Sequence, residues 1–209
     1  MKKLLIPFTA FSATFAVIVQ FILMVQNNSL PTSEAIVRFF SYFTILSNSL
    51  VAIYFCSHSF RLFRQKNPPS FHLGTLTAIT IYILLVGLGY QLLLRHLSHL
   101  NGMASFVNEL LHSLNPLLVL LFWVLNRKTA KLHFQQAWKW SIFPAFYLIF
   151  VLTRGKFTGF FPYPFLNAEK FGWTQIFVNC AGLTLVFFLL AFLLVGLSRK
   201  SFSSNKSAK

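Results

Sequence analysis

Acidic side chains are almost missing: Glu34, Glu109 and Glu169 are the only three among 209 residues. Glu109 and His112 form one Glu-x-x-His unit at one-turn spacing. A carboxylate-bridged di-iron bundle needs that unit twice plus further glutamates, so it is excluded. A lone zinc would find an incomplete ligand set. Cysteine is scarce too: Cys56 and Cys180 fall at opposite ends of their segments, too far apart for the Cα separation of about 6 Å that a disulfide needs. Of the six histidines only His112 lies well inside an apolar run, whereas haem held across helices takes two such axial ligands. Glycine forms no phosphate-cradling loop. No metal and no cofactor is therefore expected.

What is present is apolar. Hydrophobic residues make up 56% of the chain and charged ones 10%, against about 25% in a soluble domain. Runs over about 4–26, 34–56, 73–94, 106–125, 135–153 and 175–197 predict an all-α polytopic membrane protein with six transmembrane helices in a single domain, 1–197. The first run exceeds the 7–15 residues of a signal-peptide core and reads as a retained helix. Residues 198–209 read as a basic, disordered cytoplasmic tail lying near anionic headgroups.

The net charge of +15 does not point to nucleic acid, because the basic residues sit in short loops and form no face. Placing both termini on one side puts thirteen Lys/Arg there, against Arg95, Arg154, Lys156 and Lys170 on the other. The positive-inside rule then makes both termini cytoplasmic, and basic loops with a single compact bundle suit a bacterial inner (cell) membrane. Membrane lipids are the expected surroundings, and nothing in the sequence sets an oligomeric state.

Two apolar runs carry polar stripes. At 100° per residue, Arg38, Ser41, Thr44 and Asn48 share an arc of about 120° on one helix. Asn108, Glu109, His112, Asn115 and Pro116 share a similar arc on another. Hydrocarbon offers no hydrogen bonds, so two such stripes should face each other or a wet cavity. At 1.5 Å per residue, Thr44 lies about 15 Å and His112 about 9 Å along their helices from the same side, which permits contact. Pro116 has no N–H for the His112 carbonyl four residues back, which predicts a bend there.

A threonine hydroxyl becomes a nucleophile when a base takes its proton, and a neutral histidine within reach can be that base. Burial disfavours the imidazolium and keeps such a ring basic. Glu109 or an asparagine would orient the ring, while Ser41, Asn48 and Asn115 are candidate donors to an oxyanion. Spacing alone favours a plainer role, since hydroxyls in membrane helices usually bond their own backbone or join helices.

The segment Phe-Ser-Tyr-Phe-Thr-Ile-Leu-Ser-Asn at 40–48, Leu-His-Ser-Leu-Asn-Pro at 111–116 and Phe-Pro-Tyr-Pro-Phe-Leu at 161–166 resemble the bacterial relatives of the androgen-induced family of transmembrane proteins. The resemblance spans nearly the whole chain, with six segments in the same order. Animal members of that family are threonine hydrolases that cleave fatty acid esters of hydroxy fatty acids with one intramembrane Thr and one His. Matched motif to motif, the resemblance implies that Thr44 and His112 are catalytic and that the partner is a lipid or fatty acyl ester. The wording around the threonine differs from the animal proteins, so fold and nucleophile carry over more readily than substrate.

The segment 154–173 holds seven aromatics around Pro162 and Pro164. It reads as an interfacial belt, or alternatively as a stiff cap over the stripes. Arg38 and Arg154 would lie near its mouth and could hold a carboxylate, or pair with an acidic residue or lipid phosphate. The rival reading of the whole chain is a small transporter or lipid-binding protein. The absence of paired Gly/Pro-broken segments in matching positions of its two halves weakens that rival.

Overall fold

The computed structural model describes residues 2–26, 31–64 and 71–207. Every regular element among them is helical: α1 Lys2–Gln26, α2 Thr32–Phe40, α3 Phe43–Arg64, α4 Leu73–Gly89, α5 Gly102–Glu109, α6 Asn115–Asn126, α7 Gln136–Thr158 and α8 Ala168–Ser207. Five stretches are long and apolar enough to cross a membrane: Lys3–Gln26, Phe43–Arg64, Leu73–Leu97, Gly102–Asn126 and Ala168–Phe202. The sequence predicts a sixth at 135–153. A helix of 23 residues, α7, forms there, but Trp138, Lys139, Ser141, Pro144 and Tyr147 dilute its apolar character and it falls outside that group.

Polarity is distributed inside out. Phe11, Ile53 and Leu117 are more than 60% exposed, while Thr9, Asn48 and Asn115 are fully buried. Water-facing surfaces rarely carry apolar area on this scale.

The chain forms two compact units, Met1–Ala130 and Lys131–Lys209. In the first, α1 lies along α3. Ala10, Ala13 and Ala16, with Thr9 and Ser12, are buried, and small side chains there let the two backbones approach. Helix α4 packs on α6 and α3. At one end the Trp123 indole donates to the Thr77 hydroxyl at 2.8 Å. Further along, a Cβ on Gly87 would lie 3.2 Å from the His112 carbonyl oxygen and 3.2 Å from Pro116 Cβ, so any larger residue there would press on the His112 turn and the start of α6 by a few tenths of an ångström.

In the second unit, α7 ends at Gly159 in the left-handed region (φ 68°), and a 3₁₀ turn spans Pro164–Leu166. The Phe161 ring covers Gly155, Tyr163 stacks on Phe165 at 5.2 Å, and Asn179 Nδ2 donates to the Phe165 carbonyl. The aromatic segment is therefore an ordered connection.

Several boundaries differ from expectation. The predicted helix 34–56 is two helices, broken at Ser41–Tyr42. Nothing there is proline or glycine. Instead the Ser41 hydroxyl donates to the Val37 carbonyl at 2.7 Å, while the Ser41 N–H moves to the Arg38 carbonyl, a side chain taking the place of the backbone. Arg38 therefore belongs to a different helix from Thr44 and Asn48, and the single stripe does not exist. Helix α4 passes into a π-turn over Tyr90–Leu94, and α5 reaches α6 through another over Leu110–Leu114. Helix α8 starts at Ala168, kinks at Gly172 (φ 74°) and continues to Ser207, into the stretch expected to be a tail. No glycine or proline after residue 197 stops it. Lys66 and Lys209 of the basic set, and tail residues 208–209, lie outside the described residues.

Candidate active site

The break before α3 makes Thr44 the second residue of that helix. The positive end of the α3 dipole therefore falls at the threonine. Ile45 and Leu46 N–H both turn back to the Tyr42 carbonyl, at 3.1 and 3.2 Å. Thr44 is buried, and its Oγ1 lies 3.4 Å from His112 Nε2. That is long for a hydrogen bond and close enough to tighten when a substrate is bound.

His112 sits in the π-turn between α5 and α6. Its Nδ1 is 2.9 Å from the Asn108 carbonyl oxygen, which can only accept. In the neutral ring the hydrogen is therefore on Nδ1, and the lone pair of Nε2 faces the threonine, the tautomer a base requires. The ring stacks on Tyr90 at 4.3 Å between centroids. Asn108 Nδ2 donates to the Tyr90 hydroxyl at 2.6 Å, so one residue holds the ring through its backbone and its neighbour through its side chain.

One hydrogen bond closes the π-turn. Asn115 N–H reaches the Leu110 carbonyl, five residues back rather than four. The bend expected at Pro116 is thus a widened turn, and the carbonyl that receives outside help is that of Leu111, with Asn48 Nδ2 at 3.2 Å. Such turns are frequent at functional sites.

Of the other residues singled out from sequence, Asn48 and Asn115 join the pair. Asn115 Nδ2 donates to Asn48 Oδ1 at 2.8 Å, and Asn48 Nδ2 also reaches the Thr44 carbonyl at 2.9 Å. Both Asn48 amide protons thus go to backbone carbonyls, of Thr44 and Leu111. Ser41 bonds to Val37, and Arg38 pairs with Glu34 at 2.7 Å. Glu109 lies one turn from His112 but binds Arg95 at 2.7 Å and accepts from the Ser113 hydroxyl. Gln91 closes that circle, accepting from Arg95 and donating to Ser113. The atom that orients His112 is the Asn108 carbonyl oxygen. Arg154 belongs to the second unit, where its guanidinium lies 4.8 Å from the Phe160 ring centre.

Sequence reasoning did not single out Tyr90, Gly87, Arg95 or Ser12. Ser12 on α1 donates to Asn115 Oδ1 at 2.7 Å. A serine among alanines and a tyrosine near a helix end give no local signal of such a role. Among the described residues no group of three His, Cys, Asp or Glu side chains could hold a metal ion.

Comparison of the chain with protein-family models, with curated proteins and with solved structures gives no match.

Proposed function

We propose that this chain is an intramembrane ester hydrolase with Thr44 as nucleophile and His112 as base, acting on lipid-like acyl esters such as fatty acid esters of hydroxy fatty acids. The observation that carries the proposal is the 3.4 Å approach of Thr44 Oγ1 to His112 Nε2, with Nδ1 held by the Asn108 carbonyl. The resemblance to the androgen-induced family supports the same two residues.

In this mechanism Thr44 Oγ1 attacks the ester carbonyl carbon as His112 Nε2 takes its proton. The carbonyl oxygen becomes an oxyanion near the positive end of α3. Collapse breaks the ester C–O bond, and the imidazolium returns its proton to the leaving alkoxide. Water, deprotonated by His112, attacks the acyl-threonine, releasing the fatty acid and restoring the hydroxyl. The sum is ester plus water giving acid plus alcohol.

The proposed setting is a bacterial inner membrane crossed six times, with α7 as the span beyond the five apolar stretches and both termini cytoplasmic. Ester enters laterally from the bilayer. Purified protein in nanodiscs, given fluorogenic acyl esters and an alkyl fluorophosphonate probe, should hydrolyse and be labelled at Thr44. Thr44→Ala and His112→Ala should each reduce turnover by about a thousandfold or more. Labelling and hydrolysis that survive both substitutions would remove the hydrolase reading. Substrate flux retained in Thr44→Ala vesicles would favour the transporter.

A further inference from the structure

Pro116 and Asn48 are complementary. With Asn115 N–H bonded five residues back to Leu110, the same register would bring the next N–H to the Leu111 carbonyl. The next residue is Pro116, which has no N–H to give. Asn48 Nδ2 supplies a donor from another helix at 3.2 Å, while it also reaches the Thr44 carbonyl at 2.9 Å. Its Oδ1 accepts from Asn115, which is itself held by Ser12 on α1. Asn48 and Asn115 are fully buried, so no water competes for these bonds. An amide tied at both ends in a dry interior has one orientation.

We infer that Asn48 is the positioning residue of the Thr44–His112 pair, its side chain replacing the donor that Pro116 removes and locking the π-turn of His112 to the first turn of α3. Had residue 116 an N–H, the Leu111 carbonyl would be satisfied within its own helix and α3 would lose this tie. The proline makes the bond an inter-helix one. The effect on turnover rests on the hydrolase reading; the hydrogen bond does not.

The test pairs a structural readout with a kinetic one in the full chain. Isotope-edited infrared spectroscopy with a ¹³C carbonyl at Leu111 reads the hydrogen bond directly. Asn48→Leu removes the donor. Asn48→Ser is the variant to use if that one misfolds, since a serine hydroxyl can satisfy the Thr44 carbonyl but is too short for Leu111. In either variant the Leu111 band should move to higher frequency. Labelling of Thr44 by the fluorophosphonate should slow roughly tenfold, with kcat falling and KM unchanged. Adding Pro116→Ala should return the band, because the substituted residue supplies the N–H, and leave the rate low, because the tie to α3 is still missing. A band unmoved in the Asn48 variants overturns the lock. A rate that recovers together with the band overturns the positioning role. Absence of labelling in the native protein defeats the hydrolase reading alone, and the infrared band then still decides the lock.

Discussion

His112 takes its orientation from a backbone carbonyl, and this changes what is expected of the carboxylate one turn away. Glu109 is shared by Arg95 and Ser113 in a half-exposed circle with Gln91, and none of these bonds goes to the ring. On the hydrolase reading, Glu109→Gln should therefore change ester turnover by less than about threefold, since it removes no bond to the reacting groups. A hundredfold fall in kcat would put Glu109 into proton transfer and overturn this assignment. The two members of the pair were candidates in the sequence, polar groups inside apolar runs, although spacing alone favoured a plainer role and the resemblance of the surrounding motifs carried the choice. The orienting group was not, because every residue has a carbonyl and only the fold decides which one meets Nδ1.

The elements that build the site are irregular where it is tightest. The Ser41 break begins α3 just before Thr44, and two π-turns bring Tyr90 and His112 together. Helix α4 holds the His112 turn from behind, with Gly87 against the His112 carbonyl and the Pro116 ring. Neither neighbour is a flexible side chain that could swing away. Gly87→Val should lower stability by about 1–3 kcal/mol, as overpacking does, and reduce turnover beyond the loss of folded protein. Thermal unfolding in detergent and kcat per folded molecule measure the two effects separately. Full activity in Gly87→Val would show that α4 does not press on the site. Apolar runs located the long helical segments, and the helical projection missed these irregularities because it assumes one continuous 100° step across Ser41 and Leu110.

For the whole molecule, span number and terminus placement are one question. Five crossings put the termini on opposite sides of the membrane, and six put them on the same side. Helix α7 decides between these: it has the length but carries Lys139 near its start and Arg154 and Lys156 near its end. Six crossings, as proposed, divide the basic residues thirteen against four, and five would still divide them twelve against five, so the charge count does not choose and a topology measurement does. A fluorescent-protein fusion at the C-terminus should fluoresce, an alkaline phosphatase fusion there should be inactive, and a tag at the N-terminus should be accessible only from the cytoplasm. An active C-terminal phosphatase with a cytoplasmic N-terminal tag would leave α7 on one side of the bilayer.

The amino-acid order by itself determined the apolar helical character and the positions of the long segments, because apolar runs of that length are costly in water wherever the chain folds; the choice of Thr44 and His112 among the polar groups in those runs came from the resemblance of the motifs around them. Tertiary structure alone decided the tautomer of His112, the partners of Glu109 and Arg38, and the part taken by Asn48. Those depend on which carbonyls lack a donor once the helices are packed, a property of neighbouring backbones that no single segment contains.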